Sequence, residues 1–255
     1  MSSQQVRAAP GTEGYAEDAT WLIPRYDSIS FEDKYRAVSH LMPTAPSSVL
    51  DIGAGTGSDS VWLAARGHKV MAIEPVTEFR NAGIQRHFPL QIDWIDDSLP
   101  DLVKVARCLE SFDLVLVAAV WHHLTPDDRI VAMSNIARLL KNGAILIMSI
   151  RHGPSPANRR VFEVSADETI DLAISYGLKK MLETQTASAQ QINQKAGVTW
   201  TWLAFANERF IPAEYINNQC NCAESHCRDH LFIGHIGSTK RHRLWPGSRL
   251  LQARP

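Results

Sequence analysis

A chain of 255 residues with 45% hydrophobic content is long enough to bury one full core, and its formal net charge of -1 gives no overall attraction to nucleic acid or an anionic membrane. No apolar run approaches the ~20 residues of a membrane-spanning helix, and the opening Met1-Ser2-Ser3-Gln4-Gln5 has no signal-type apolar core, so a cytoplasmic location is expected. One cysteine, Cys108, precedes residue 220, which excludes a disulfide scaffold for the main body.

Residues 1–44 contain a glycine- and acid-containing stretch from Gly11 to Asp18, the aromatics Tyr15, Trp21 and Tyr26, and a predicted helix from Phe31 to Leu41. An apolar strand then runs through Val49, Leu50, Asp51 and Ile52 into Gly53-Ala54-Gly55-Thr56-Gly57. Glycines at alternate positions permit positive φ and let a ligand approach the backbone where no Cβ fits. The helix that follows carries Val61, Trp62, Ala64 and Ala65 and ends at Gly67. A second strand, Lys69 to Ile73, ends in Glu74, about twenty residues after the first glycine, where an acid can accept both hydroxyls of a ribose. The third strand, Leu90 to Ile95, leads to Asp96 and Asp97, one of which is expected to cap a helix starting near Leu99.

The fourth strand, Phe112 to Ala118, is continuously apolar, as suits a parallel strand buried on both faces. Trp121, His122 and His123 follow it. Thr125 and Pro126 then open a helix with Ile130, Val131, Ile136, Leu139 and Leu140 on one face, stopping before Gly143. The fifth strand, Ala144 to Ile150, precedes Arg151, Arg159 and Arg160. Ser165 to Glu168 has capping-box spacing and opens a helix ending near Gly177, and two further strands are expected over Leu178 to Glu183 and Val198 to Ala206. Strands alternating with helices in this order predict a doubly wound α/β domain with helices on both faces of its sheet.

Gly57 follows Gly55 by two residues, whereas a dinucleotide fingerprint places its third glycine three after the second. The acid, the G-x-G-x-G loop and the later acids closely resemble motif I and its companions in the class I S-adenosylmethionine (SAM) dependent methyltransferases. The resemblance covers about residues 14 to 206 and implies a seven-stranded, mostly parallel Rossmann-like sheet whose last strand is antiparallel. It implies SAM as cofactor, held by Asp51, Gly53, Ala54, Gly55, Gly57, Glu74, Pro75 and Ala118, with Asp96 or Asp97 at the adenine amino group. It also implies that residues 1–44 form a helical lid and lead-in, with Tyr26 the preferred lid contact, before a cofactor domain at 45–206. An NAD-linked oxidoreductase and a catalytically inert SAM-binding protein are the alternatives.

Methyl transfer from a sulfonium needs alignment by in-line approach, a base only for some acceptors, and aromatic faces near the sulfur. His122 is a candidate base, Trp121 a candidate aromatic and Arg151 a candidate anchor for an acidic group on the acceptor, while Arg159 and Arg160 read as solvated surface. Ala118-Ala119-Val120-Trp121 stands where an amino-methyltransferase would carry an Asn/Asp-Pro-Pro-Tyr/Phe motif, and no Pro-Cys pair is present, so a small-molecule acceptor is expected. The sequence sets no oligomeric state. The last forty residues carry a net +4, leaving -5 on residues 1–215, and hold Cys220, Cys222, Cys227, His226, His230 and His235. Their spacing fits no standard zinc pattern, so residues 207–255 read as a metal-free, poorly ordered basic tail.

Overall fold

A computed structural model of the chain describes residues 9–208, and the basic Cys/His tail beyond them lies outside the described residues. Seven strands form one sheet in the order β3-β2-β1-β4-β5-β7-β6, where β1 is Ser48–Ile52, β2 Lys69–Ile73, β3 Ile92–Ile95, β4 Phe112–Val117, β5 Leu140–His152, β6 Leu178–Ala187 and β7 Thr199–Asn207. The first five run parallel, and β7 is antiparallel to both β5 and β6. The expected doubly wound sheet is present, with its single reversed strand.

Alternation along each strand divides the core between two faces. Leu50, Ile52, Val115, Val117, Leu146 and Met148 pack on one side with Met133 and Ile136 of α5 (Pro126–Leu139) and Ile170 of α6 (Ala166–Ser175). Val49, Leu114, Leu116 and Ile147 face the other side, against Leu63 of α3 (Ser58–Ala64) and Phe31 and Tyr35 of α2 (Phe31–Tyr35). Two helices complete the N-terminal half: α1 (Ala19–Asp27) in the expected lid and α4 (Thr77–Arg86) between β2 and β3.

Several local expectations change. The helix expected over Phe31 to Leu41 is broken into α2 and a short 3-10 turn at Ser39–Leu41. No helix starts near Leu99, because Leu102 takes a left-handed φ of 48° and Asp97 accepts the backbone N–H groups of Lys104 and Val105, which fixes a series of turns instead. On α3 the fully buried apolar side chain is Leu63, while Trp62 stacks on Phe31 at 3.8 Å. On α5, Ile130 and Val131 are exposed; the buried face is Arg129, Ala132, Met133 and Ile136, which have the i, i+3, i+4, i+7 spacing of one helix side. The start of α5 does follow the sequence, with a reciprocal capping box between Thr125 and Asp128. Thr125→Ala should cost about 1 kcal/mol of stability, read as a lower denaturation midpoint at unchanged m-value.

This topology locates the site. The sheet order reverses between β1 and β4, and in such sheets the crevice beyond the carboxyl ends of those two strands takes the ligand. The loops emerging there are Gly53 to Gly57 after β1 and Ala118 to His123 after β4. Among the described residues no helix is long and apolar enough to cross a membrane.

Candidate active site

The three glycines of the first loop all have left-handed φ, but each has a different neighbour. A Cβ on Gly53 would fall 2.3 Å from Val120 Cγ2, so this glycine lets the strand-four turn close onto the loop. A Cβ on Gly57 would fall 2.6 Å from the Trp94 ring, and one on Gly83 of α4 would fall 2.3 Å from the same ring. Gly57 therefore seats an indole and caps α3, and it does not line the cavity. Gly55 alone meets only Tyr26, at 3.7 Å, and opens onto the cavity.

The acids divide in the same way. Glu74 lines the cavity at 5% exposure, its two oxygens accepting from the backbone N–H of Gly55 at 2.7 Å and of Val76 at 2.8 Å. Burial pushes its carboxyl up to about 7 against those two stabilising bonds. Asp51 lies beneath the loop, accepting from Ser60 Oγ at 2.7 Å, and burial followed by the nearby Asp59 raises its pKa. Asp59 itself accepts from Tyr35 and Lys34. Asp51 thus braces α3 against the loop from outside the cavity wall. Asp96 pairs with Arg80 at 3.2 Å and Lys104 at 3.7 Å, while Asp97 takes three backbone N–H groups. From this segment the cavity is lined by Ser98 and Leu99. Ala54, Pro75 and Ala118 line it as well, beside Ala119, a non-glycine residue at φ 62° whose N–H is held by Ser149 Oγ at 2.9 Å.

The N-terminal segment covers this crevice. Tyr15 and Tyr26 both pack on Phe79, the first edge to face at 6.1 Å between ring centroids and the second tilted at 5.6 Å. His123 Nδ1 lies 2.6 Å from the Arg160 carbonyl, which only an N–H can satisfy, so Nε2 is the acceptor for the Tyr15 hydroxyl at 2.9 Å. Asp18 receives Asn158 at 3.0 Å and Arg159 at 2.7 Å. Arg159 is not solvated surface: its side chain is 5% exposed, and its guanidinium lies 4.2 Å from the Tyr15 ring centroid. Arg160 is partly exposed and lies 3.8 Å from Glu13. Trp121 is not a cavity aromatic. It is fully buried in the core, because the short turn after β4 directs it toward α6, where it donates to Thr169 Oγ1 at 3.2 Å.

His122 lines the cavity at 3% exposure, with Nδ1 sealed away from any hydrogen-bond partner among the described residues. Burial, then His123, Arg151 and His152, hold its pKa far below the ordinary value. Arg151 lines the same region and donates to the Gly153 and Pro154 carbonyls and to Ser155 Oγ, all uncharged. A further wall comes from Arg25 of α1, Ile29 and Lys34 of α2, and another from Trp200 and Trp202 on β7 and from residues 186–194, which include the short helix α7 (Gln191–Lys195) in part. Sequence reasoning missed this wall. Its signal was a polar, glutamine-rich stretch between two strands, longer than the two to five residues of a usual hairpin loop.

These elements enclose a cavity of about 1150 Å³. That exceeds the roughly 300–1,000 Å³ typical of a pocket for one small ligand. Room for two reactants side by side is a requirement of group transfer.

Residues 50–148 match the sequence profile of a methyltransferase domain. An uncharacterized methyltransferase of Mycobacterium tuberculosis is 33% identical over 117 residues, covering 43% of this chain and 42% of that protein, so the chain matches less than half of its relative's length. Among solved structures, the 1,6-didemethyltoxoflavin-N1-methyltransferase of Burkholderia thailandensis, crystallised with 1,6-didemethyltoxoflavin and S-adenosylhomocysteine, superposes with a TM-score of 0.57 at 18% identity, covering 81% of this chain and 96% of that one. The cyclase SpnF superposes with a TM-score of 0.56 at 13% identity, over 75% of this chain and 93% of its own. One fold thus carries more than one named activity. The sequence match runs from β1 into β5 on a sheet of this order, so that part of the chain is similar to a methyltransferase domain and the fold is similar to that of S-adenosylmethionine-dependent methyltransferases.

Proposed function

We propose that the chain binds SAM at the ends of β1 and β2 and transfers its methyl group by in-line displacement to a small acceptor held against β4, β5 and β7. The observation that carries this is one cavity in which the open face of Gly55 and the Glu74 carboxylate share space with His122, Arg151 and Trp200. The donor set fits the cofactor: Glu74 is placed to accept from ribose hydroxyls, the Gly55 backbone admits a ligand where a Cβ would stand, and Ser98 and Leu99 border the adenine end beside Asp96 and Asp97. When bound, SAM supplies a methyl on a cationic sulfur. The Tyr26 ring lies next to Gly55, and an aromatic face turned to a cation is worth roughly 0.5 to 2 kcal/mol. The pinned lid keeps water out, and holding the two reactants in line accounts for up to ~7 to 11 kcal/mol of the barrier in well-oriented systems.

The spacing of the loop favours this over the NAD alternative, because Gly57 follows Gly55 by two residues where a dinucleotide fingerprint places its third glycine three after the second. A small acceptor also agrees with the Burkholderia enzyme, whose compound is small. The chain is expected to act as a soluble protein in the cytoplasm, on neither nucleic acid nor membrane. Titration calorimetry should show saturable binding of SAM and S-adenosylhomocysteine and none of NAD; NAD binding without SAM would sink the proposal. With SAM bound, a screen of small acceptors should release S-adenosylhomocysteine, and a silent broad screen would favour an inert binder.

A further inference from the structure

The acceptor end of the cavity has an electrostatic character that its residues set. Arg151 sits across from Trp200 in the β5–β7 register, and the Trp200 ring lies 6.1 Å from that of His122, so the three side chains share one corner. Every hydrogen bond of Arg151 goes to a neutral oxygen, and among the described residues no carboxylate lies within salt-bridge reach of it. The nearby acids are already engaged. Asp18 is held by Arg159 and Asn158, and Glu74 faces the glycine loop. The groups acting on His122 are His123, Arg151 and His152, with no acid among them. A half-buried positive charge without a counter-ion is a costly arrangement that a bound anion relieves.

The state of His122 points the same way. Its Nδ1 is enclosed and has no partner, and an orphaned buried N–H is rarer than an orphaned acceptor. The neutral tautomer that leaves a bare lone pair on Nδ1 puts the proton on Nε2, the ring nitrogen left to meet a ligand. With its basicity suppressed by burial, this imidazole is a poor general base and a good neutral donor.

Resting on the methyltransferase proposal, we infer that the acceptor is a flat, conjugated molecule bound as an oxyanion, its charged oxygen between His122 Nε2 and Arg151 and its plane against Trp200. An acceptor bound in this form brings a free lone pair. At transfer the oxygen–carbon bond forms from that pair, the sulfur–carbon bond breaks with its electrons going to sulfur, and both reacting atoms end uncharged. No proton has to leave, so no base is required.

The test uses NMR shift titrations of the full chain at neutral pH, with and without saturating S-adenosylhomocysteine, using benzoate, 4-nitrophenolate, benzamide and benzylamine as probes. Either or both anions should bind at least about tenfold tighter than the amide and the amine, the difference expected for one charge-assisted hydrogen bond. Whichever anion is tighter identifies carboxylate or phenolate as the preferred group. Arg151→Met and His122→Leu should each remove that preference, while His122→Gln, whose amide presents an N–H at similar reach, should keep it. Benzylamine binding as tightly as both anions, or anion affinity unchanged in both loss variants, overturns the inference. Should the variants fail to fold, the ranking of probes on the unaltered protein still decides. Failure of S-adenosylhomocysteine to bind counts against the methyltransferase proposal instead, and the probe series without it judges the oxyanion site on its own.

Discussion

Gly55→Val should weaken SAM binding by at least about 100-fold, or roughly 2.7 kcal/mol, while the strands remote from the loop stay folded. Two effects combine. A β-branched residue at the φ of 58° found here is a backbone outlier, with a cost of order 1 to 3 kcal/mol. Its side chain would also project into the space bordered by Tyr26, where a cofactor backbone contact is proposed. Gly143→Ala separates the two, because Gly143 has a φ of 79° and a Cβ there meets nothing within 4 Å. That control should lose stability by about 1 kcal/mol with no change in SAM affinity. Calorimetry on folded Gly55→Val, checked by circular dichroism, gives the answer; undiminished affinity would place the cofactor elsewhere.

Glu74→Gln should lower SAM affinity roughly 10- to 100-fold at pH values above neutrality, since a carboxylate accepting from hydroxyls contributes about 1.5 to 3 kcal/mol. The same variant reports a pH effect on the protein without ligand. Glu74 titrates at about 7 when folded against an ordinary value of 4.5, so between those values the folded state holds a proton that the unfolded state has lost. Stability contributed by this group is present below the unfolded value and falls as pH rises through the folded one, by about 3 kcal/mol in all. Asp51, also raised by burial, acts in the same direction. Burial holds His68, His122 and His123 below the ordinary imidazole value, and they act in the opposite direction, so the Glu74 contribution is read as the difference in melting temperature between the unaltered ligand-free protein and Glu74→Gln across about pH 5 to pH 8. The unaltered protein should lose ground to Glu74→Gln as pH rises through that window, because the variant lacks the proton that the folded Glu74 retains. Below pH 4 the trend reverses, because Asp18, Asp33 and Asp113 are held below the usual carboxylate range by hydrogen bonds and cations. SAM, which needs the carboxylate, should bind more tightly as pH rises toward 7. A difference between the two proteins that stays constant across this range would show that Glu74 is solvated in solution.

The elements that build the crevice were legible because their signals are local. The apolar run of β4, the Thr125 cap and the spacing from Gly53 to Glu74 each lie within a short window, and the structure puts them at the β1–β4 switch point. The closure of the site was not legible. Tyr15 meets His123 across 108 residues of sequence, and Asn158 meets Asp18 across 140. No periodicity encodes such pairs, so Arg159 read as surface and Trp121 as a cavity aromatic. The faces of α3 and α5 were misplaced for a related reason. Counting apolar residues gave weight to Ile130 and Val131, whereas the side that reaches the sheet includes the Arg129 stem and the small Ala132. The wall from residues 186–194 escaped notice because polar loop residues look alike until a cavity is found beside them.

Gly83 stands inside α4, where glycine weakens a helix by about 1 kcal/mol relative to alanine. It persists there because the Trp94 ring fills the space its side chain would need. Positions 83 and 94 thus share a single allotment of volume. Among related chains the two should change together, a smaller residue at 94 releasing 83 to become alanine, so that a helix glycine and the indole of the strand that follows it are inherited as one unit.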